Sequence, residues 1–326
     1  MQVFLSSPAF EKATNGRCAY LALHADGKLW RGDPLIEHAA SSPRGYCSSH
    51  LGDAISAFTP NQKQQVRRLL NDLSRKYDTL ILSCEGWGQN PQRLTDDCIF
   101  ADDAFHVEVL AYVRPQLEWI NSAWWQWGAW TALPAGQWIN RQRRMAQWDA
   151  LARQWAAKPW VKKIDVRLID GDVVQDFMHY LGFQVPAQPR VNQSLPGILL
   201  RVLQHNRQLR AGPHDSAIDF VLARHLQLDA GGTPWILGPR KVEELLAFFR
   251  HENEQLANRL SSEQRETMLD DPRWWQAEPY LLRPVAKPVV ERLDVAQLEQ
   301  LTVATLEAIN RLDAELRACR SGASSS

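Results

Sequence analysis

The chain has 326 residues, and its 37 lysines and arginines balance its 37 aspartates and glutamates. That length is enough to bury a substantial core. A formal net charge of zero excludes a global field that would gather nucleic acid or an anionic membrane, so any anion site has to be local. The five cysteines, at 18, 47, 84, 98 and 319, are odd in number and form no C-x-x-C pair. This argues against a disulfide framework or a cysteine-rich zinc site, and for a reducing, cytoplasmic setting. No run reaches the ~18 apolar residues of a membrane span, and the first residues lack the basic-then-apolar order of a signal peptide.

In chain order, residues 1 to 50 carry weak signals: "QVFLSSPAF" reads as the end of a helix and "RCAYLAL" as a short strand. From 61 to 76, Val66, Leu69, Leu70 and Leu73 fall on one helical stripe. "DTLILSCEGWG" then predicts a buried strand running into a tight loop, since four apolar residues give way to Ser, Cys, Glu and two glycines. "HVEVLAYVR" is a second strand, and Pro115 suits the first turn of the helix after it. A tryptophan-rich helical region extends to about 157. "KKIDVRLI" is a third strand, and "GDVVQDFMHYLGF" a helix closed by a left-handed cap at Gly182.

Beyond "VPAQPRVNQSLP" the pattern is helical, near 194 to 210, 215 to 227, 239 to 260 and 294 to 318. The last segment sets Leu298, Leu301, Ile309, Leu312 and Leu316 on a common side after Asp294 as N-cap. "SGASSS" reads as a disordered tail over 321 to 326. With no internal repeat or low-complexity linker, the pattern predicts one α/β domain with a mainly parallel sheet flanked by helices. Its core occupies about 1 to 186, with a helical part at about 187 to 320.

Ligands of open parallel sheets bind beyond the carboxyl ends of the strands. Two loops lie there: one carries Ser83 and Glu85, the other Arg114, with Ser122 eight residues further on. An arginine between a strand end and a helix start offers a planar, permanent charge suited to phosphate, although a plain ion pair fits the same residue. Ser83 either supports a ligand or caps the next turn. Trp87 sits between Gly86 and Gly88, where a substrate could approach the backbone. Trp119, Trp124, Trp125, Trp127 and Trp130 are too many for one stripe, so some are core and one or two, such as Trp124, line a cleft. His106 has no second ligand at metal spacing and reads as structural.

In order and spacing, "LSCEGW", "AYVRPQLEWINS" and "RVNQSL" resemble the motifs of sulfotransferases that use 3'-phosphoadenosine 5'-phosphosulfate. The likeness is to the bacterial sulfotransferase-like proteins linked with surface polysaccharides, and it extends over roughly residues 2 to 262. It implies a P-loop NTPase-like fold of the sulfotransferase type, no metal, and a hydroxyl-bearing acceptor, either a glycan or a cell-surface polysaccharide. It further implies that Arg114 and Ser122 hold the donor's 3'-phosphate with Ser83 in support. Glu85 would be the base that takes the acceptor proton, and a glutamate there favours a sugar. Arg190, with Asn192 and Ser194, would lie near the nucleotide or the acceptor.

The family's loop of the type KTG[ST][TS] is absent, and the chain starts "MQVFL" where relatives carry Q-x-F-L just after that loop. The expectation is that Met1 is an internal methionine of a longer protein, with a central strand lacking and sheet edges left unpaired. Two rival readings remain. One is a nonenzymatic glycan- or ligand-binding protein that kept the fold without the donor loop. The other is a phosphoryl-transfer enzyme, which the lack of G-x-x-x-x-G-K-[ST] weakens.

Overall fold

The computed structural model describes residues 1–187, 195–228, 233–288 and 293–323. It is a mixed α/β structure, 56% helical, with small sheets. The chain divides into two compact units: Met1–Leu117 with Arg143–Pro189 and Glu243–Pro279, and Glu118–Gln142 with Arg190–Val242 and Tyr280–Ser326. Among the described residues no helix is long and apolar enough to cross a membrane.

The strands lie in the first unit: β1 Cys18–Leu23, β2 Leu29–Trp30, β3 Thr79–Leu82, β4 Val107–Val113 and β5 Val161–Leu168. Where one parallel sheet is expected, there are two ladders. One has the order β2-β1-β3, with β1 antiparallel to β2 and parallel to β3; the other is the parallel pair β4-β5. Side chains alternate across a strand, and here both faces are covered. Ala19, Leu21 and Leu23 of β1 enter one apolar layer together with Leu80, Leu82, Val107, Val109 and Ile164. Cys18, Tyr20 and Ala22 enter the other, with Ile81, Leu110 and Tyr112.

Local signals explain the flanking helices. Thr59 accepts a hydrogen bond from the Gln62 amide, and the Gln62 side chain accepts one from the Thr59 amide, a capping box opening Pro60–Ser74. Val66, Leu70 and Leu73 of that helix are buried, whereas Leu69 stays 40% exposed and off the buried stripe. Asp172 accepts from the amides of Val174 and Gln175 to start Val173–Tyr180. Gly182, at φ 82°, closes it: its amide donates to the His179 carbonyl and the Phe183 amide to that of Met178. Residues Glu85–Gly88 form a short helix where a tight loop is expected, and β3 is half-buried along its length. Helix Gly32–Ser41 has no clear sequence signature, whereas Ser262–Asp270 opens on an unread S-x-x-Q start, the Ser261 hydroxyl accepting from the Gln264 amide.

In the second unit, Trp124, Trp125, Trp130 and Trp138 are buried, and a Cβ on Gly128 would come within 2.3 Å of the Trp124 ring. Arg210 is fully buried, its guanidinium 4.0 Å from the centre of the Trp130 ring. It donates to the Gln126 carbonyl and pairs with Asp219. Burial raises the Asp219 pKa to about 6 despite the adjacent Arg210. In the final helix, Val295–Ala323, Asp294 is the N-cap, accepting from the Gln297 amide. Of the expected apolar stripe, Leu298, Ile309, Leu312 and Leu316 are 40% to 57% exposed, and the covered side carries Ala304 and Ala308. Residues 324–326 of the expected tail lie outside the described residues.

The Arg210–Asp219 pair gives a test. Replacing Arg210 with Met alone strands a partly buried carboxylate and should cost about 2–4 kcal/mol in urea unfolding, whereas R210M/D219L should recover most of it. An aspartate with a raised folded pKa contributes stability below its unfolded value of 3.8 and loses it as pH rises through about 6. The stability of the double variant relative to wild type should therefore rise between pH 4 and 7.

Candidate functional site

The carboxyl ends of β1 and β3 are stitched together by Ser49. Its amide donates to the Ser83 carbonyl at 2.8 Å and its hydroxyl accepts from the Leu23 amide at 3.1 Å. Ser83, half-buried just past β3, accepts a hydrogen bond from Gln2 Nε2 at 3.2 Å. Glu85 is exposed at the start of the Glu85–Gly88 turn. The Met1 amine has its pKa lowered by burial, against the opposing charges of Asp172 and then Glu85. Burial raises the pKa of the Tyr46 hydroxyl here, with the Glu85 charge adding to it.

Trp87 points the other way. Its indole N–H donates to the His50 carbonyl at 2.9 Å, and its ring meets Phe100 edge-on at 5.9 Å. His50 in turn lies 4.4 Å, ring to ring, from His24, which is 3.1 Å from Asp26. Burial, and then the charge of His24, lower the His50 pKa. This histidine pair escaped sequence reading because its members are far apart in the chain and share no motif.

Arg114 follows β4 directly and is half-buried; its carbonyl accepts from the Trp148 indole at 2.9 Å. Ser122 is half-buried within helix Gln116–Gln126. Trp124, expected beside a substrate, is 4% exposed and offers no free ring face. Arg190, Asn192 and Ser194 lie outside the described residues. A recess of about 60 Å³ opens at the carboxyl ends of β4 and β5, lined by Pro115, Asp170, Thr267, Asp271, Arg273 and Trp274 among others. That is room for a few water molecules, at roughly 10–15 Å³ of such space each. Arg273 is held by Asp271 through its Nε and Nη2 atoms.

The polar floor beneath this end went unread. Asn253, fully buried, accepts from Gln116 Nε2 and donates to the Trp274 carbonyl at 2.8 Å. Asp149, 2% exposed, receives Arg153 and Arg259, each at 2.8 Å. The signal was available in "RHENEQLANRL", where Glu252 and Asn253 sit on the apolar side of an amphipathic helix. Polar residues on such a face need partners. Among the described residues no group of histidine, cysteine and carboxylate side chains could hold a metal ion.

Compared with family models, curated proteins and solved structures, the chain matches none.

Asn253→Ala leaves the Gln116 amide and the Trp274 carbonyl unpaired inside the protein, at about 1–3 kcal/mol for each group. We expect a loss in that range or above it by chemical denaturation. Asn253→Asp should restore less than half, because it keeps the acceptor and loses the donor.

Proposed function

We propose that the chain is a sulfotransferase-like protein of the P-loop NTPase-like class, acting in the cytoplasm of a bacterium. It would transfer a sulfuryl group from 3'-phosphoadenosine 5'-phosphosulfate to a hydroxyl of a glycan or cell-surface polysaccharide. One observation carries this reading: Ser83 with Glu85, and Arg114, directly follow the parallel strands β3 and β4. Their order in the sequence, and the eight-residue step from Arg114 to Ser122, support it.

In this reading Arg114 takes the 3'-phosphate, because a guanidinium forks onto two phosphate oxygens. Glu85 accepts the proton of the acceptor hydroxyl as the new S–O bond forms and the bond to the nucleotide's 5'-phosphate breaks. Ser83 supports the donor through its hydroxyl.

Calorimetric titration tests the reading with 3'-phosphoadenosine 5'-phosphate against adenosine 5'-phosphate. The 3'-phosphorylated nucleotide should bind at least tenfold more tightly. Arg114→Ala should erase that preference, worth about 1.5–3 kcal/mol, while shifting the melting temperature by no more than a few degrees. Glu85→Gln should keep nucleotide binding and abolish transfer. Equal losses of stability and binding in Arg114→Ala would count against the role. Binding of polysaccharide without either nucleotide would identify a nonenzymatic binding protein instead.

A further inference from the structure

Among the described residues, the exposed large apolar side chains of the second unit fall mostly on its final helix, Val295–Ala323. They follow a heptad repeat. Val295, Thr302, Ile309 and Leu316 stand seven residues apart, and Leu298, Thr305 and Leu312 each follow three residues later, which are the a and d positions of a coiled-coil seam. All seven side chains are exposed, the five apolar ones by 40% to 81%. Thr302 Oγ1 donates to the Leu298 carbonyl at 2.7 Å and Thr305 Oγ1 to the Leu301 carbonyl at 2.8 Å. Each hydroxyl is thus satisfied within its own helix, and neither brings an unpaired donor into the stripe.

The helix is already covered on a different side, where Ala304 and Ala308 are buried and Leu301 and Arg311 half-buried. With 3.6 residues per turn, that side and the heptad stripe lie about 100° apart around the axis. A further helix can therefore lie along the stripe without displacing the first contact. From Val295 to Leu316 the stripe is about 33 Å long at 1.5 Å per residue. It holds three full heptads, the length at which such a repeat specifies a coiled coil rather than a chance apolar patch. β-Branched residues at three of the four a positions, with leucine at two of the three d positions, favour two strands over three or four.

We propose that this helix pairs with the same helix of a second copy of the chain, stripe against stripe across a two-fold axis. The contact is short, and threonine occupies two of its seven layers. It therefore falls at the small end of stable interfaces, about 1,000 Å² in total, and the pairing is reversible. Glu299 flanks the stripe at an e position. In either orientation it faces a carboxylate of the other copy, Asp294 if the helices run parallel and Asp313 if they run antiparallel. Salt screens that repulsion and strengthens the pairing. The pairing stands or falls separately from sulfuryl transfer, since nucleotide binding plays no part in its test.

Sedimentation equilibrium of the 326-residue chain over a range of micromolar concentrations is the test. We expect a monomer–dimer equilibrium that tightens with added salt. Ile309→Glu should give a monomer with unchanged helical circular dichroism, and Thr302→Ile with Thr305→Leu should tighten the dimer about tenfold or more. Val303→Glu, at an exposed apolar position on another side of the helix, should pair as the wild type does. If Ile309→Glu loses helicity, the tightening variant decides alone, because it adds apolar surface to the stripe and removes none. Three results would each overturn the proposal: monomers for both the wild type and the tightening variant, equal effects of Ile309→Glu and Val303→Glu in well-folded proteins, or an assembly of three or more copies. The first would assign the stripe to a different protein.

Discussion

The first unit depends on two apolar layers that hold together strands no ladder connects. A fully buried aliphatic side chain contributes about 1.5–3 kcal/mol, and a typical hydrogen bond only about 0.5–1.5 kcal/mol net. Leu21 and Leu23 on one face and Tyr20 and Phe177 on the other therefore each contribute as much as a single ladder bond or more. The layers set the strand positions, and the ladders follow where backbones come close enough. That hierarchy is why the sheet can be interrupted without the unit falling into two pieces.

Positioning at the strand ends is a second consequence. With the layers fixed, the chain must leave each strand in polar surroundings, and the departing loops are tied by specific bonds rather than by packing. Ser49 joins the ends of β1 and β3, and the Trp148 indole holds the Arg114 carbonyl. Behind the sheet, Arg167 grips Asp176 with two hydrogen bonds while Tyr112 donates a third. Burial would raise the pKa of Asp176, but the bonds from Arg167 and Tyr112 more than offset it and keep the carboxylate ionised. These ties place Ser83, Glu85 and Arg114 at defined points of the surface.

Legibility in the sequence followed local self-sufficiency. Pro60–Ser74 announced itself by its apolar stripe and Val173–Tyr180 by the glycine that closes it, signals that each lie within one segment. The strands β1, β3, β4 and β5 were visible as short apolar runs, but their grouping into two ladders was not, since pairing depends on what lies between runs far apart in the chain. The histidine pair of His24 and His50, and the anchoring of Asn253, were hidden for the same reason. The stripe of the last helix misled differently. Leu298, Ile309, Leu312 and Leu316 do share a side, but periodicity does not say whether a neighbour covers it, and alanines fill the covered side instead.

The tryptophans show how composition can be misread as a binding surface. Trp87, Trp125, Trp130, Trp148, Trp235 and Trp275 each donate their indole N–H to a backbone carbonyl, at His50, Pro234, Trp125, Arg114, Leu237 and Met268. A buried loop carbonyl without a partner costs about 1–3 kcal/mol, so a ring that fills space and also satisfies one stabilises irregular backbone twice over. Phenylalanine could do only the first. Trp124 and Trp160 are buried with no partner for the indole N–H, held by ring contacts to Trp138 and Trp155 instead. A chain with much irregular structure between its helices needs such splints, and this need accounts for most of its tryptophan without any ligand.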